Sequence, residues 1–459
     1  MTIPDPVRQW AERTPTAPAV VTASETWSWA DLDARVSTCA EHLTASRVAV
    51  QAETSPAFAV LVLAALRAGR TLVPLSTRWP PAATAAALRR LGLSGALDAD
   101  DLAEITTPSP APGNAPVLDL ERSATIVHTS GSTGEPKAVL HSVGNHVWSA
   151  RGVNERMRLG EGDRWLLDLP LYHVGGLGVV VRCALAGAAV AVACPGEQSA
   201  DVLGALRPTH VSLVATQLRR LLRAAPPEAM GSLRAVLLGG SAIPADLIDE
   251  AVGRGVPVAT SYGMTEATAT LTATAPGAAR AALATSGQPL AHREMRIAEG
   301  EIEVSGPTRF VGYARAGGVD PAPAWFATGD LGRFDDAGRL VITGRRDLQF
   351  VSGGENVQPE AVEAALLALD TVAEAVVVPV PDAEFGARPV AFVRTSSGAL
   401  DRSALAEALR QRVAGFAVPV AFHAWRGAGG MKPDRPALQA EAERRAAESS
   451  APGPSEPEA

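Results

Sequence analysis

The chain has 459 residues, 47% of them apolar and 20% charged, with a formal net charge of −8. That is the composition of a soluble globular protein, with length for about three units of ~150 residues. The negative balance, with no basic cluster to offset it, excludes nucleic acid as the main partner.

The N-terminal stretch MTIPDPVRQWAERTP lacks the apolar run of a signal peptide. Next, RVAVQA reads as a strand, PAFAVLVLAALRAG as a helix and TLVPLS as a second strand. Residues 125–142, TIVHTSGSTGEPKAVLHS, then pass from an apolar strand into a turn rich in Gly, Ser and Thr that ends at Lys137. Such a turn lets backbone N–H groups approach phosphate oxygens, with hydroxyls and one ammonium adding donors. The common G-x-x-x-x-G-K-[ST] phosphate loop does not fit it, since Lys137 follows Gly134 by three with Pro136 between.

The longest apolar tract is residues 177–194, LGVVVRCALAGAAVAVAC. Arg182 lies inside it, and a central arginine costs ~2.5–3.5 kcal/mol to insert in a bilayer, so a buried helix, a turn at Gly187 and a strand fit better than a membrane span. LRAVLLGG, SAIPADLIDEAVGRG and VPVATSYG then repeat the strand–helix–strand order, with Ser241 as a cap, Pro244 at the first helical position and Gly253 and Gly255 near the stop. This alternation predicts a largely parallel sheet covered by helices, with ligands at the carboxyl ends of its strands. The loop at 129–137 and SYGMTE at 261–266 both follow strands and are expected to face one crevice. Glu266 beside a phosphate site suits Mg²⁺, which takes few protein carboxylates, and Asp330 in FATGDLGRF suits a ribose diol. DDAGR just beyond it reads as a hairpin turn.

After residue 345 the texture changes. QPEAVEAALLALD places Val362, Ala365, Leu366 and Leu369 on one helix face. Two strands, EAVVVPV and RPVAFVR, follow, then a helix near 401–413. The fold class expected is α/β, a large N-terminal domain (1–346) of parallel-rich sheets covered by helices, plus a small mobile α+β C-terminal domain (347–440). The tail, 441–459, is expected to begin helical and end disordered. Cys39, Cys183 and Cys194 have no metal-ligand spacing and read as free thiols of a cytoplasmic protein.

TSGSTGEPKAV, SYGMTE, ATGDLGRFDDAGRLVITGRRD and MKPDR, in this order, resemble the adenylate-forming superfamily of acyl-CoA ligases, adenylation domains and luciferases. The resemblance covers about residues 5–440. It implies an acyl-AMP intermediate made from ATP and a carboxylic acid, with Mg²⁺, and coenzyme A as co-substrate. Catalytic roles would fall to Lys432, Glu266, Thr133 and His173, with Glu266 on the metal. Nucleotide contacts would come from Thr129, Ser130, Gly131, Ser132, Thr133, Gly134, Lys137, Gly240, Ser241, Tyr262, Gly263, Thr265, Asp330 and Arg345. Gly353 and Gly354 would let the pantetheine arm pass, and Asp347 would be the hinge. Met431 stands before Lys432 where the family usually has Gly, while Lys-x-x-Arg is kept by Lys432 and Arg435.

LPLYHVGGLGVVVRCALAGA and FVSGGENVQPEAVEAAL resemble the o-succinylbenzoate–CoA ligases of menaquinone biosynthesis. A dicarboxylic acid would supply the partner that a buried Arg182 needs, and the acyl pocket would include His173, Arg182, Gly263 and Met264. The other reading of Arg182 is a pair with a protein acid or a helix end, and of His173 a core histidine. The alternatives for the whole chain are another aryl- or acyl-CoA ligase, a stand-alone adenylation enzyme loading a carrier-protein thiol, and a catalytically dead nucleotide-binding homologue. The oligomeric state stays open, a homodimer included.

Overall fold

A computed structural model describes residues 1–108, 116–129, 136–193, 199–240, 243–427 and 433–450. Ser130, Gly131, Ser132, Thr133, Gly134, Cys194, Ser241, Met431, Lys432 and the stretch 451–459 lie outside the described residues.

The chain divides into two compact units. The first comprises Met1–Arg296, Glu303–Phe326 and Phe334–Val341; the second comprises Ile297–Ile302, Ala327–Arg333 and Ile342–Ala459. The boundary passes through the strands Phe326–Phe334 and Leu340–Arg345, so the second unit takes short strand segments from upstream as well as the C-terminal residues.

Two sheets organise the first unit. A nine-stranded sheet runs from Gln288–Pro289 through Ala269–Ala273, Val258–Met264, Ala235–Leu238, His210–Leu213, Arg164–Leu167, Ala189–Val192 and Pro18–Val21 to Thr26–Ser28. Its six inner strands from Val258–Met264 to Pro18–Val21 are parallel, and its outer pairings are antiparallel. A six-stranded sheet has the order Gly318–Pro321, Gly312–Arg315, Lys137–Ser142, Ser123–Thr129, Thr71–Pro74, Arg47–Val50. Arg47–Val50 and Thr71–Pro74 are parallel, joined by the helix Pro56–Ala68. That helix starts where the Ser55 hydroxyl accepts the Phe58 N–H, and it is apolar on every face because every face is covered: Phe58 through Leu66 are all buried.

The apolar tract at 177–194 forms the helix Val174–Ala186, a turn at Gly187 and the strand Ala189–Val192. Among the described residues no helix is long and apolar enough to cross a membrane. In the SAIPADLIDEAVGRG unit the helix is Ala245–Gly253, and Pro244 occupies the cap position (φ −61°, ψ 140°) instead of the first helical turn. Its ψ is extended; proline fixes φ alone, and helical ψ begins one residue later.

The second unit packs the helix Pro359–Leu367 on the antiparallel strands Val372–Asp382 and Gly386–Thr395. Val362 and Leu366 are buried, with Ala365 and Leu369 packed beside them. The helix expected near 401–413 spans Arg402–Arg410, capped by the Asp401 carboxylate. Ala421–Ala424 adds a parallel strand to Gly386–Thr395 that the sequence pattern did not signal. The chain re-enters helix at Arg435–Ser450, whose Leu438 and Ala442 are buried.

Candidate active site

The phosphate-type loop is carried by an antiparallel hairpin, with Thr129 and Lys137 as Cα partners at its mouth. Lys137 is exposed, and its Nζ lies 5.3 Å from the centre of the Tyr313 ring, on the next strand of the same sheet. The Tyr313 hydroxyl donates to Glu266 Oε1 at 3.1 Å. That bond holds the phenol protonated, and burial and the carboxylate both raise its pKa. Glu266 is 8% exposed and makes no salt bridge among the described residues. A nearly buried carboxylate with no counter-ion among the described residues fits a hard cation such as Mg²⁺, which Glu266 would hold.

Glu266 stands in a tight turn at the end of the strand Val258–Met264. Gly263 there allows a close approach: a Cβ would lie 1.7 Å from the Ala269 carbonyl oxygen. Register shifts at Tyr262/Gly263, and Thr268 and Ala269 then take φ +53° and +77°, a left-handed pair of residues that carry side chains. Such residues cost about 1–3 kcal/mol each and persist where surrounding bonds fix them. Here Ser149 Oγ donates to the Thr268 carbonyl, and Thr268 Oγ1 donates to the Thr308 carbonyl at 2.8 Å. Gly240 follows the neighbouring parallel strand, and the Cβ that Gly239 lacks would sit 2.5 Å from Ser261 Oγ, so the 239–240 turn and SYG are adjacent strand ends.

Arg182 is 2% exposed, in the middle of the helix Val174–Ala186. Its guanidinium lies 5.0 Å from the centre of the Trp165 ring, and its Nε and Nη1 are buried with no hydrogen-bond partner among the described residues. Burial lowers its pKa to about 10. Among the described residues no protein carboxylate pairs with it, which removes the reading of Arg182 as half of a protein ion pair. A second guanidinium, Arg293, is buried too; it donates to the carbonyls of Thr270, Trp148, Ser149 and Ala291, all neutral. Burial first, and then Arg182, lower the Arg293 pKa to about 9. Nothing in the local sequence AHREMRI marks Arg293 as buried. His173 precedes the helix at its cap position and is exposed, its ring 4.7 Å from Tyr172. The core-histidine reading of His173 therefore falls.

In the second unit Asp330 lies mid-strand, not in a hairpin turn; the turn belongs to Asp335, whose carboxylate accepts the Ala337 and Arg339 N–H groups. Arg345 bridges two aspartates: Nη1 to Asp330 Oδ1 at 3.0 Å, Nε to Asp347 Oδ1 at 2.8 Å and Nη2 to Asp347 Oδ2 at 3.0 Å. That fork holds Asp347 below the usual carboxylate range. Gly353 and Gly354, at φ +61° and +88°, form the two-residue turn of a hairpin between Phe350–Ser352 and Glu355–Val357. Two positive φ values are what such a hairpin requires, so the turn alone accounts for both glycines. Arg435 is forked onto Glu363 and also donates to the Val377 carbonyl at 2.9 Å.

The sequence reading missed Tyr313, His141, Thr125 and Arg293. The signal for the first was a lone tyrosine in FVGYAR; for the next two it was a pair of histidines, His141 and His146, just after the phosphate-type loop.

Residues 7–314 match the AMP-binding enzyme family and residues 361–427 the AMP-binding enzyme C-terminal domain. A 2-succinylbenzoate–CoA ligase of Salmonella typhimurium is 36% identical over 458 residues, covering 96% of this chain and 98% of that one. The o-succinylbenzoate CoA synthetase (MenE) of Bacillus subtilis, solved in complex with the acyl-adenylate intermediate OSB-AMP, superposes with a TM-score of 0.83 at 27% identity, over 96% of this chain and 98% of that one. The same B. subtilis protein with ATP and magnesium ion gives 0.81 at 28% identity, over 93% and 96%. The chain belongs to the AMP-binding enzyme family and is similar along nearly its whole length to 2-succinylbenzoate–CoA ligases.

Proposed function

We propose that this protein ligates o-succinylbenzoate to coenzyme A at the expense of ATP, releasing AMP and diphosphate, as a cytoplasmic step of menaquinone biosynthesis. The observation that carries the choice of acid is the buried Arg182 guanidinium, whose Nε and Nη1 have no acceptor among the described residues. A dicarboxylic acid has one carboxylate to react and one to be held, and a planar fork matches the second. Arg293 supports the reading, since two buried cations with no carboxylate partner among the described residues favour a dianion over a neutral acyl tail.

In the first half-reaction one carboxylate oxygen of the acid attacks the α-phosphorus, the bond to the bridging oxygen breaks, and diphosphate leaves. Residues 129–134 and Lys137 hold the β- and γ-phosphates. Glu266, kept in place by Tyr313, carries the Mg²⁺ that neutralises phosphate charge. Gly240, Ser241, Tyr262, Gly263 and Thr265 serve the nucleotide, the 239–241 turn on its adenine side, and Asp330 with Arg345 reads the ribose. Lys432 serves the α-phosphate and carboxylate oxygens, where negative charge develops and a preorganised cation is worth most. In the second half-reaction the CoA thiolate attacks the acyl carbon and AMP leaves, with His173 at the pocket wall, Met264 beside the acyl group, and the arm passing Gly353 and Gly354. The C-terminal domain, residues 347–440, changes position between the two steps about a hinge at Asp347.

A CoA-dependent AMP-release screen across aromatic dicarboxylic, simple benzoic and fatty acids tests this. We expect o-succinylbenzoate to give the highest kcat/KM. ADP and phosphate as products would end the reading altogether; turnover only with a carrier-protein thiol would move it to a stand-alone adenylation enzyme.

A further inference from the structure

Two histidines and a threonine lie buried directly behind the Glu266 turn: His141 is 0% exposed, His146 3% and Thr125 2%. His141 Nε2 is 2.8 Å from the Thr265 carbonyl oxygen, His141 Nδ1 is 3.0 Å from Thr125 Oγ1, and Thr125 Oγ1 is 2.8 Å from His146 Nε2. The directions of these bonds follow from the groups themselves. A carbonyl only accepts, so His141 Nε2 carries a proton and donates. Burial holds His141 neutral, with a pKa near 4, so its Nδ1 is bare and accepts from the Thr125 hydroxyl. Thr125 has then spent its one proton, and its oxygen must accept from His146 Nε2–H. One order satisfies all three contacts: His146 to Thr125, Thr125 to His141, His141 to Thr265.

The end of this chain is the residue before Glu266. The Thr265 carbonyl also accepts the Thr268 N–H at 3.0 Å, inside the turn that bears the left-handed pair Thr268 and Ala269. His141 belongs to the six-stranded sheet, and Thr265 continues from the nine-stranded one. The strand of His141 also begins with Lys137, at the mouth of the phosphate-type loop.

We propose that His141 is a positioning residue for adenylation, which fixes the Thr265 carbonyl from behind and thereby sets the direction of the Glu266 carboxylate toward Mg²⁺. Thr125 and His146 hold it in the one tautomer that can do so. This rests on the adenylation reading above. Groups that orient a metal-binding carboxylate typically change metal affinity or activity by about 10- to 100-fold when lost.

The test uses the full chain and the variants His141→Gln, His141→Asn and Thr125→Val. A glutamine amide nitrogen reaches roughly where Nε2 lies, whereas an asparagine amide is too short. His141→Asn should raise the Mg²⁺ concentration for half-maximal ATP–diphosphate exchange, or lower kcat, by about tenfold or more. His141→Gln should recover most of that loss. ATP affinity measured by calorimetry should weaken in His141→Asn with Mg²⁺ present and stay near wild type in EDTA. Thioester formation from supplied acyl-adenylate should be unchanged. Nitrogen-15 NMR of the imidazoles should show His141 as the Nε2–H tautomer, and Thr125→Val should shift or mix it. An Nδ1–H tautomer in the wild type would overturn the proposal. So would equal behaviour of the Gln and Asn variants, or a His141→Asn protein that melts earlier but keeps its Mg²⁺ dependence. If the wild type exchanges diphosphate with no acid, the adenylation reading fails, while the tautomer and the Mg²⁺-dependent ATP affinity still decide the positioning role.

Discussion

Replacing Arg182 by methionine separates what this side chain does for the fold from what it does for the substrate. Methionine keeps most of the buried volume and removes the charge. In the free protein the guanidinium finds no acceptor for Nε and Nη1 among the described residues. An unmade buried donor costs ~1–3 kcal/mol, so the two together cost roughly 2–6 kcal/mol. Against this stands the contact with the Trp165 ring at 5.0 Å, worth ~2 kcal/mol when desolvated. Arg182→Met should therefore leave stability unchanged or raise it by up to about 4 kcal/mol, against the usual direction for a core substitution. Binding should move the other way. One charge-assisted contact of ~1.5–3 kcal/mol to the unreacted carboxylate corresponds to a KM for o-succinylbenzoate about 10- to 150-fold higher. Any monocarboxylic acid the enzyme accepts should lose little. Urea unfolding together with steady-state kinetics on both acid classes checks the two halves. A variant that loses stability and loses both acids equally would show a structural arginine, and the dicarboxylate assignment would lose its main support.

Lys432→Ala should abolish adenylate formation, at least by the ~10²–10³-fold typical of one electrostatic donor, and spare thioester formation from supplied acyl-adenylate; equal loss in both half-reactions would refute domain alternation. Asp347→Pro should slow the second half-reaction most, because proline fixes φ near −65° where a hinge must change it; unaltered thioesterification would remove Asp347 from the hinge. His128 carries an acid-stability prediction. Burial first, and then Arg90, lower its pKa from 6.5 to about 4, so between those values the unfolded chain binds a proton that the folded one does not. The stability it confers is complete above pH 6.5 and is lost as pH falls toward 4, by up to about 3 kcal/mol. His128→Gln should flatten that acid limb in unfolding titrations, and an unchanged slope would refute the assignment.

The parts of this protein that are legible in its sequence are those written in contiguous residues. The strand–helix–strand units at 47–74 and 235–264, the buried helix with its Arg182, and the helix face of Val362 and Leu366 follow from local period and burial. Boundaries set by a single ψ are not written there: Pro244 stands at the cap, one residue before the helix Ala245–Gly253, because proline constrains only φ. What the sequence could not disclose is coupling between distant strands. His141 reads as a histidine in an apolar strand, and only the approach of the two sheets brings it to Thr265. Tyr313 reads as a strand tyrosine until its pairing with 137–142 carries it to Glu266. Arg293 is buried because carbonyls from three segments converge on it, and no local pattern encodes that.

The strand order bears on how the protein is made. The nascent chain starts the nine-stranded sheet with Pro18–Val21, leaves it to build the six-stranded sheet, returns to it at Arg164–Leu167, and only later supplies Gly312–Arg315 to cover the edge strand Lys137–Ser142. Neither sheet can be finished from one contiguous stretch. Such interleaving gives high contact order, slow assembly, and an exposed strand edge that invites pairing with another chain while synthesis continues. Until Tyr313 has emerged, the growing polypeptide carries a buried-type carboxylate without its phenol and a sheet edge without its neighbour, which makes this interval the one where a chaperone would matter most.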